Sequence, residues 1–505
     1  MDIAKMDEFA KKKGFFWPSS EIYGGFTGFY DYGSNGTLLK RKFENAWRKY
    51  FLGLNDNFFE IEPSDIMHEK VFAASGHVEG FVDPVAKCSK CGTQHRADHI
   101  LEDFLHESFE GLTPDELKKI IVEKNVRCPS CKGELKDVYV LNMMFPVDVG
   151  GNKKGFLRPE TAQGPYVNFG RHFNLLRNRL PLGLSVIGKA FRNEISPRNL
   201  TTRTREFTQA ELQIFFDPIQ IEDHPQWNEV KNYRLLLHPV TKRDQKPVEM
   251  KCADAMSEMK LPKFYLWHMA KVQQFYLDVL GVPKSKFRFK ELSEEERAFY
   301  NKLHWDIELD LPSLGGFREV GGVHYRTDHD LLGHQKTSNK SQEIFFNGKR
   351  FIPHVLELSF GVDRNVYGLI ELNYEEEGDR AVLHLPPAVA PFQVAVFPLV
   401  NKDGLDKVAK EIFVGLKKKF DVVFDQSGSI GKMYYREDER GTFYCITVDY
   451  ETKSKKSVTV RDRDSKKQVR VKVKDLEKNL ERLLAGEMKF EKSGTAIKPS
   501  KPRKK

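Results

Sequence analysis

The sequence predicts an α+β fold, an antiparallel sheet flanked by helices, followed by a smaller α/β domain. Two runs with strand character, 185–194 and 206–216, are joined by a basic, polar loop, which is typical of an antiparallel pair. A third strand, 355–360, leads directly into a helix that begins at Gly361. After the double proline at 386–387, strands and helices alternate over about 100 residues, a usual length for a separate α/β domain.

Length and composition are those of an ordinary globular protein. The 505 residues predict about three domains, and the net charge is +9 with 30% charged and 40% hydrophobic residues. No run approaches the roughly 18 consecutive apolar residues that a membrane helix needs. Residues 1–20 lack the apolar core of a signal peptide. We therefore expect a cytoplasmic protein without a membrane segment.

Breaks in composition divide the chain into seven segments. Residues 38–52 have helical spacing of apolar groups and lead into a strand, 58–61, that stops at Pro63. Residues 222–296 are polar and Lys-rich, with a helix predicted from 264 to 280. The predicted segments are 1–83 (start of the main domain), 84–140 (cysteine-bearing insertion), 141–220 (main domain), 221–298 (helical insertion), 299–385 (main domain), 386–485 (α/β domain) and 486–505 (basic tail).

The tail concentrates positive charge. It holds seven basic and two acidic residues, giving +5, and ends KPSKPRKK. Such a composition has almost nothing to bury and predicts disorder. Its two interpretations are a solubilising terminus and an arm that contacts phosphates of a nucleic acid.

Four of the six cysteines form two C-x-x-C pairs, Cys88 with Cys91 and Cys128 with Cys131. Two such turns fit a tetrahedral Zn²⁺ site in a zinc-ribbon-like insertion. The 36 residues between the pairs exceed the usual spacing, and 114–124 reads as a helix within them. Four thiolates leave no open coordination position, so the predicted zinc is structural. Two independent redox pairs, or two unrelated turns, are the alternative.

The strand pair 185–216 carries groups that suit a nucleotide. Because alternate residues of a strand share a face, Arg192 lies with Glu194, and Phe207 lies with Gln209 and Glu211. An arginine can bind phosphate, an aromatic ring can stack on a base, and a carboxylate can accept from an exocyclic amine. A solvated, charged strand would show the same residues.

A second charged segment follows the strand 355–360. Glu357 and Ser359 alternate on this strand, and Arg364 lies in the first turn of the following helix. Helix N-termini favour anions, so Arg364 would strengthen a polyphosphate site. A surface arginine beside a turn would look the same in isolation.

Together, the helix and strand ending at Pro63, the FRNE strand pair and the GVDR helix resemble motifs 1, 2 and 3 of a class II aminoacyl-tRNA synthetase. Further segments are similar to glycyl-tRNA synthetases of the dimeric type: LRPETAQG (157–164), SPRN (196–199), REFTQAE (205–211), EVGGVHYRTDHDL (319–331) and DQSGSIGKMYYREDERGT (425–442). The resemblance spans nearly the whole chain. His324 and Tyr325 depart from it, because the family commonly has small or acidic residues there.

The resemblance implies a class II synthetase catalytic core with zinc-ribbon-like and helical insertions, plus a C-terminal anticodon-binding domain. It implies catalytic roles for Arg192 and Arg364 with ATP, and for Glu319 and Glu357 with Mg²⁺. The implied ATP-binding residues are Arg192, Asn193, Glu194, Thr202, Arg203, Thr204, Arg205, Glu206, Phe207, Glu319, Val320, Gly361, Val362, Asp363 and Arg364. The implied glycine-binding residues are Arg96, Glu160, Phe207, Thr208, Gln209, Ala210, Glu211, Glu357, Leu358, Ser359, Phe360 and Gly361.

The implied function is glycine–tRNA ligation: glycine and ATP give glycyl-adenylate, and glycine then passes to the 3′ end of tRNA(Gly). The implied partners are tRNA(Gly), glycine, ATP with Mg²⁺, structural Zn²⁺ and a second copy in a homodimer. Synthesis of diadenosine tetraphosphate is a side reaction of the family. The loop 428–436 and residues 461–463 are candidates for anticodon contact. The alternatives are a class II synthetase for another small amino acid and a non-catalytic, synthetase-like RNA-binding protein.

Overall fold

The computed structural model describes residues 1–105, 107, 109, 112–298, 300–378 and 380–497. A nine-stranded sheet forms the centre of this described part, and its pairs are antiparallel except at 58–60 with 183–185 and at 237–238 with 289–290. The predicted strand pair is confirmed, with Leu182–Phe191 antiparallel to Glu206–Phe216. In spatial order the strands are Val248–Lys251, Arg234–His238, Phe287–Glu291, Leu303–Leu311, Gly316–Thr327, His354–Gly361, Glu206–Phe216, Leu182–Phe191 and Phe58–Glu60.

Three helices cover one face of this sheet, and the opposite face carries both polar groups and a second apolar cluster that includes residues of the helix Gln163–Leu175. The helices Ser34–Phe51, Lys263–Gln274 and Val362–Leu372 share one core with the sheet. The ring of Phe360 contacts the rings of Trp47, Phe51, Phe275 and Tyr276 on this side. Because strand residues alternate, the neighbours Glu357 and Ser359 face the opposite side. The helix and strand predicted before Pro63 are confirmed.

Segment 221–298 is not a helical insertion, and that prediction is wrong. It supplies three of the nine strands, and its Leu235, Leu237, Phe287 and Phe289 are buried in the same core as the rest of the sheet. The edge strand Val248–Lys251 alternates polar and apolar residues, which explains the polar texture of the sequence. The helix predicted from 264 is confirmed, and it continues as a π-helical turn, Phe275–Val279.

The cysteine-bearing segment has its own small core. The strands Val82–Cys88, Gln94–Arg96 and Leu135–Asn142 form an antiparallel sheet, and Ala97–Leu105 and Pro114–Glu123 are helices. The helix predicted at 114–124 is confirmed, with Thr113 and Glu116 forming a capping box at its start.

None of the helices in the described ranges is long and apolar enough to cross a membrane.

Shorter elements connect these parts. Further helices and strands are Ile3–Lys12, Phe16–Pro18, Tyr30–Tyr32, Ile66–His68, Glu69–Ala74, His77–Gly80, Phe145–Val149, Lys153–Leu157, Gln163–Leu175, Trp227–Val230, Cys252–Met259, His329–Ser338, Ile344–Phe346, Lys349–Phe351, Tyr374–Glu377 and Arg380–Leu383.

The C-terminal domain has the predicted alternation of strands and helices around a separate core. One helix, Ile430–Arg440, occupies most of the predicted loop 428–436; Ser429 caps it by accepting from the backbone N–H of Lys432. The elements are the strands Val394–Pro398, Val422–Phe424, Tyr444–Val448, Ser457–Asp462 and Gln468–Lys472 and the helices Leu405–Leu416, Ile430–Arg440, Tyr450–Lys455 and Val473–Leu484.

Two candidates for anticodon contact are structural arginines. Arg461 forms two hydrogen bonds with Asp438, at 2.7 and 3.0 Å. Arg463 is 1% exposed and donates to the carbonyl oxygens of Leu385 and Gly441. Burial and these partners occupy both guanidinium groups, which leaves neither side chain exposed for the predicted anticodon contact.

The predicted disorder of 486–505 is wrong for residues 486–497. Thr495–Ala496 extends the edge of the C-terminal sheet by pairing with residues 469–470. Phe490 stacks on Tyr444, with ring centroids 5.9 Å apart. The single aromatic residue therefore anchors a segment whose composition predicts disorder. Residues 498–505 lie outside the described residues.

Candidate active site

The site lies on the face of the central sheet that the three core helices leave uncovered. Strand register places two rows of polar side chains across it, separated by two residues along each strand. The first row is His304, His324, Glu357 and Gln213; the second is Asp306, Gly322, Ser359 and Glu211. Because Gly322 has no side chain, the second row has a gap at its centre.

A buried arginine, Arg326, organises the acidic end of this site. Its guanidinium is 1% exposed and donates to Glu357 at 2.9 Å, to Asp330 at 3.0 and 3.1 Å, and to Glu160 at 3.4 Å. The Tyr300 ring centroid lies 4.3 Å from the guanidinium carbon. One cation thus fixes carboxylates from three separate parts of the chain.

The charges around Arg326 keep two of these carboxylates ionised. Burial opposes ionisation of Glu357, but Arg326 and His324 outweigh it and lower its pKa to about 2. Burial likewise opposes ionisation of Glu160, yet Arg326 and His77 hold its pKa well below the ordinary value. The pocket therefore presents fixed negative charge at neutral pH.

Glu211 behaves differently from its neighbours. It accepts from the hydroxyls of Thr161 at 2.6 Å and Ser359 at 2.8 Å, but no cation pairs with it in the described part of the chain. Burial, followed by the charges of Glu357 and Glu160, raises the pKa of Glu211 to about 7. A cation bound between these carboxylates would restore its charge.

The opposite end of the site is basic. The Arg192 guanidinium carbon lies 5.3 Å from the Phe207 ring centroid and 5.4 Å from that of Phe81, and its Nε donates to the carbonyl of Pro159. Its remaining guanidinium N–H groups have no protein acceptor within the described residues. An arginine held between two rings, with donors to spare, is suited to bind an anion.

Two ion pairs flank Arg192. Glu194 accepts from Arg203 Nε at 2.9 Å and Nη2 at 2.8 Å, and Arg364 pairs with Glu319 at 2.9 Å. Arg364 Nε also donates to the carbonyl of Thr202 in the loop between the paired strands. The basic loop, the helix N-terminus and the strand that carries Glu319 are thereby held together.

The structure brings most of the predicted residues to one cavity. The lining residues among them are Glu160, Arg192, Glu194, Thr202, Arg203, Thr204, Phe207, Thr208, Gln209, Glu211, Glu319, Glu357, Ser359, Gly361, Asp363 and Arg364. Asp363 is buried and accepts from the Tyr32 hydroxyl and the Thr208 backbone N–H, so it braces the pocket.

The other predicted residues do not line this cavity. Ala210, Leu358 and Phe360 are fully buried in the core on the helix side, because alternate strand residues point away from the site. Val362, the first residue of the helix Val362–Leu372, is buried in the same core, and Val320 is buried outside the cavity lining. Asn193 and Arg205 lie in the loop that joins the two paired strands, and Glu206 pairs with Lys189 at the surface. Arg96 lies in the cysteine-bearing segment and pairs with Asp83 and Asp98.

Glu319 and Glu357, both predicted to hold Mg²⁺, line the same cavity at its two ends, and their role with the metal stays a prediction. Glu357 lies opposite His324 on the neighbouring strand. His324 is five residues from Glu319 along one strand, which separates these two positions by roughly 16 Å. The Glu357 oxygens already face Arg326, Gln213 and His324. Glu357 thus belongs to the acidic end of the site, and Glu319 to the basic end.

Sequence reasoning missed several groups of the site. They are Phe81, Thr161, Gln163, Gln213, Tyr300, Arg326 and Asp330. Because alternate strand residues share a face, Gly322, His324 and Arg326 lie on the same side of the sheet, and this pattern was the signal for Arg326. Phe81 and Tyr300 reach the site from distant segments, which no local pattern shows.

The four paired cysteines converge at a second site. Their Sγ atoms all lie within 4.8 Å of one another, with Cys88 and Cys131 3.5 Å apart and Cys91 and Cys128 3.8 Å apart. A tetrahedral Zn²⁺ with bonds of about 2.3 Å requires sulfur atoms roughly 3.8 Å apart. The four thiolates therefore fit a metal ion, and no S–S bond joins them.

Comparisons with known proteins agree with this architecture. Residues 393–483 match the family described as Anticodon binding domain. A crystal structure of prolyl-tRNA synthetase from Cryptosporidium parvum is similar in fold, with a TM-score of 0.57 at 16% identity, covering 95% of this chain and 77% of that one.

Curated relatives share sequence over nearly their whole length. The glycine–tRNA ligases of Thermococcus gammatolerans and Pyrococcus horikoshii are each 40% identical, covering 95% of this chain and 98% of the relative. That of Methanothermobacter thermautotrophicus is 37% identical over 94% of this chain and 98% of its own. The chain therefore belongs to the glycine–tRNA ligase family, within the class II aminoacyl-tRNA synthetases.

Proposed function

We propose that the cavity binds glycine at its acidic end and ATP at its basic end, and forms glycyl-adenylate between them. The observation that carries this proposal is the cluster of three buried carboxylates, Glu160, Glu211 and Glu357, beside the Ser359 hydroxyl. Glycine offers an ammonium, a carboxylate and no side chain, so its recognition must rest on charge and on close walls.

Different residues at the basic end bind different parts of the nucleotide. Arg192 binds the α-phosphate and the glycine carboxylate, and Phe207 stacks on adenine. Arg203 and Arg364 reach the terminal phosphates once ATP competes for their present partners, Glu194 and Glu319. Glu194 then accepts from the adenine amine, and Glu319 is the carboxylate available to Mg²⁺.

The reaction needs no protein nucleophile. The glycine carboxylate attacks the α-phosphorus in line and pyrophosphate leaves; the terminal adenosine hydroxyl of tRNA then attacks the adenylate carbonyl and AMP leaves. Mg²⁺ would neutralise phosphate charge. The chain itself positions the two substrates and stabilises developing charge through Arg192 and Arg364.

Glu211→Gln tests the glycine site. Since this variant replaces a carboxylate that would contact the ammonium, we expect the KM for glycine to rise about 30-fold, the loss of roughly 2 kcal/mol of charge-assisted hydrogen bonding. The KM for ATP should stay within about twofold. Glycine-dependent exchange of pyrophosphate into ATP provides both constants.

Glu249→Gln is the matched control, because Glu249 lies on the far edge strand and pairs with Lys284 at the surface. An unchanged glycine KM in Glu211→Gln would refute the assignment. The same assay with alanine and serine separates glycine activation from activation of another small amino acid. Absence of exchange with all three would instead favour the non-catalytic RNA-binding alternative.

We also propose that the four-cysteine site holds structural zinc. Elemental analysis should find about one zinc per chain, and Cys128→Ser should lose it. Cys252→Ser is the control, because Cys252 is buried elsewhere and should leave the zinc content unchanged. A protein with intact cysteines and no zinc would contradict this proposal.

The family further supports tRNA(Gly) as a partner, with the C-terminal domain at the anticodon, a homodimer in solution and a cytoplasmic location. We keep the predicted boundaries 84–140 and 386–485 for the zinc-binding and anticodon-binding parts. The segment between 221 and 298 belongs to the catalytic sheet. Sedimentation analysis would determine the oligomeric state directly.

A further inference from the structure

A buried arginine behind the site, Arg158, takes no part in the proposed chemistry and does not line the cavity. Its side chain is 3% exposed; it donates to the carbonyls of Lys189 at 2.7 Å and Pro63 at 3.1 Å, and pairs with Asp65 at 2.8 Å. Its backbone N–H donates to the carbonyl of Asp65, and its carbonyl accepts from the N–H of Phe191, each at 2.9 Å. Arg158 therefore joins the segment around Pro63 to the end of one of the paired strands.

The bend 159–161 follows this arginine directly and contacts both ends of the site. At the basic end, the carbonyl of Pro159 accepts from Nε of Arg192 at 3.0 Å. At the acidic end, the hydroxyl of Thr161 donates to Glu211 at 2.6 Å. A shift of the arginine would therefore move backbone that serves both ends.

Gly188 leaves the space that the guanidinium of Arg158 occupies. A Cβ added at Gly188 would lie 2.2 Å from Nη2 of Arg158, which is too close unless that side chain moves. Gly188 lies within the strand Leu182–Phe191, and its backbone is outside the left-handed region that favours glycine. Its register partner, Gln209, accepts from the backbone N–H of Thr161 at 3.2 Å. The missing side chain at Gly188 is thus a matter of space beside the bend, and not of backbone conformation.

We propose that Arg158 is a positioning residue for adenylate formation, and that Gly188 gives it the space it needs. By fixing the bend, Arg158 sets the distance between Glu160, which would bind the glycine ammonium, and Arg192, which would bind phosphate and carboxylate. This inference rests on the proposed function, because that function places one substrate at each end. In-line attack depends on this distance, since a misplacement of about 1 Å can slow a reaction roughly 100-fold.

Gly188→Ala is the first test, and the assay is glycine-dependent exchange of pyrophosphate into ATP by the full-length protein. The added methyl displaces the guanidinium behind the bend, so we expect kcat to fall at least about tenfold. Each end keeps its own partners, because Arg192 stays between two aromatic rings and Glu160 stays paired with Arg326. The KM values for glycine and ATP should therefore stay within about threefold. A thermal melt gives the folded fraction, so that kcat is expressed per folded molecule.

Arg158→Lys is the second test, alone and in combination with the first. An ammonium lacks the planar fork with which arginine donates to several oxygens at once, so this variant should also lower kcat about tenfold. Because it removes the group that the methyl displaces, adding Gly188→Ala to it should lower kcat by less than about a further twofold. Two effects that multiply in full would overturn the proposal, since they would be independent.

Gly183→Ala is the matched control on the same strand. Its Cβ would lie 2.4 Å from the ring of Phe58 and 3.0 Å from Leu212, so it crowds the core at a site that does not involve Arg158. We expect it to lower Tm at least as much as Gly188→Ala does, while kcat per folded molecule stays within about twofold. An equal fall in kcat for the two variants would identify a general packing effect and overturn the positioning role.

The same assay separates this inference from the proposed function. If the unmodified protein shows no exchange with glycine, the proposed function fails and the inference fails with it. If the unmodified protein is active and Gly188→Ala retains its kcat, only the positioning role of Arg158 is wrong.

Discussion

Arg192→Ala is expected to lower glycine-dependent exchange of pyrophosphate into ATP at least about 100-fold. Loss of one donor to a developing oxyanion costs roughly that factor or more, and we propose that Arg192 binds both the phosphate and the glycine carboxylate. The expected change is mainly in kcat, since charge develops at the α-phosphorus in the transition state. Exchange at the unmodified rate in Arg192→Ala would refute the phosphate role.

Stability provides the control for this variant. The Arg192 side chain donates to one carbonyl, of Pro159, and packs between Phe81 and Phe207, so its loss should change Tm little. Lys189→Ala removes a cation three residues earlier that pairs with Glu206 at the surface, and we expect it to retain exchange activity. Arg192→Lys should recover only part of the rate, because an ammonium cannot bind two oxygens with planar geometry.

Arg326→Met is expected to lower the free energy of unfolding of the catalytic part by about 3 to 5 kcal/mol at neutral pH. It leaves Glu160, Asp330 and Glu357 buried without their shared cation, and an uncompensated buried charge costs that much. Tryptophan fluorescence during urea unfolding measures the effect selectively, because all five tryptophans lie between residues 17 and 305.

The pH dependence of this variant has a definite sign. Without Arg326, the folded-state pKa values of Glu160 and Glu357 rise above their unfolded values, so the loss of stability should grow from pH 5 to pH 8. Arg48→Met breaks a surface ion pair with Glu60 and should cost less than about 1 kcal/mol at any pH. Equal destabilisation by the two variants would contradict the central role of Arg326.

Local pattern was enough for elements whose signals lie within a few residues. The strand pair around 185–216, the helix at 362 and the alternation after residue 390 follow from periodicity and from breaks at Gly and Pro. The spacing of the cysteine pairs likewise predicts a metal site. The same reasoning failed at 221–298, where edge strands that expose one face have the polar composition of a surface insertion.

The sequence by itself determined the fold class, the family motifs and the identity of the residues with chemistry to offer. The tertiary structure decided how those residues are divided: Glu357 lies with Arg326 and His324 at the acidic end of the site, while Glu319 lies with Arg364 at the basic end. It also decided which arginines keep guanidinium donors without a protein acceptor among the described residues, such as Arg192, and which are fully paired, such as Arg326 and Arg461. The physical reason is that strand pairing joins residues distant in sequence, and both pKa and burial depend on those neighbours.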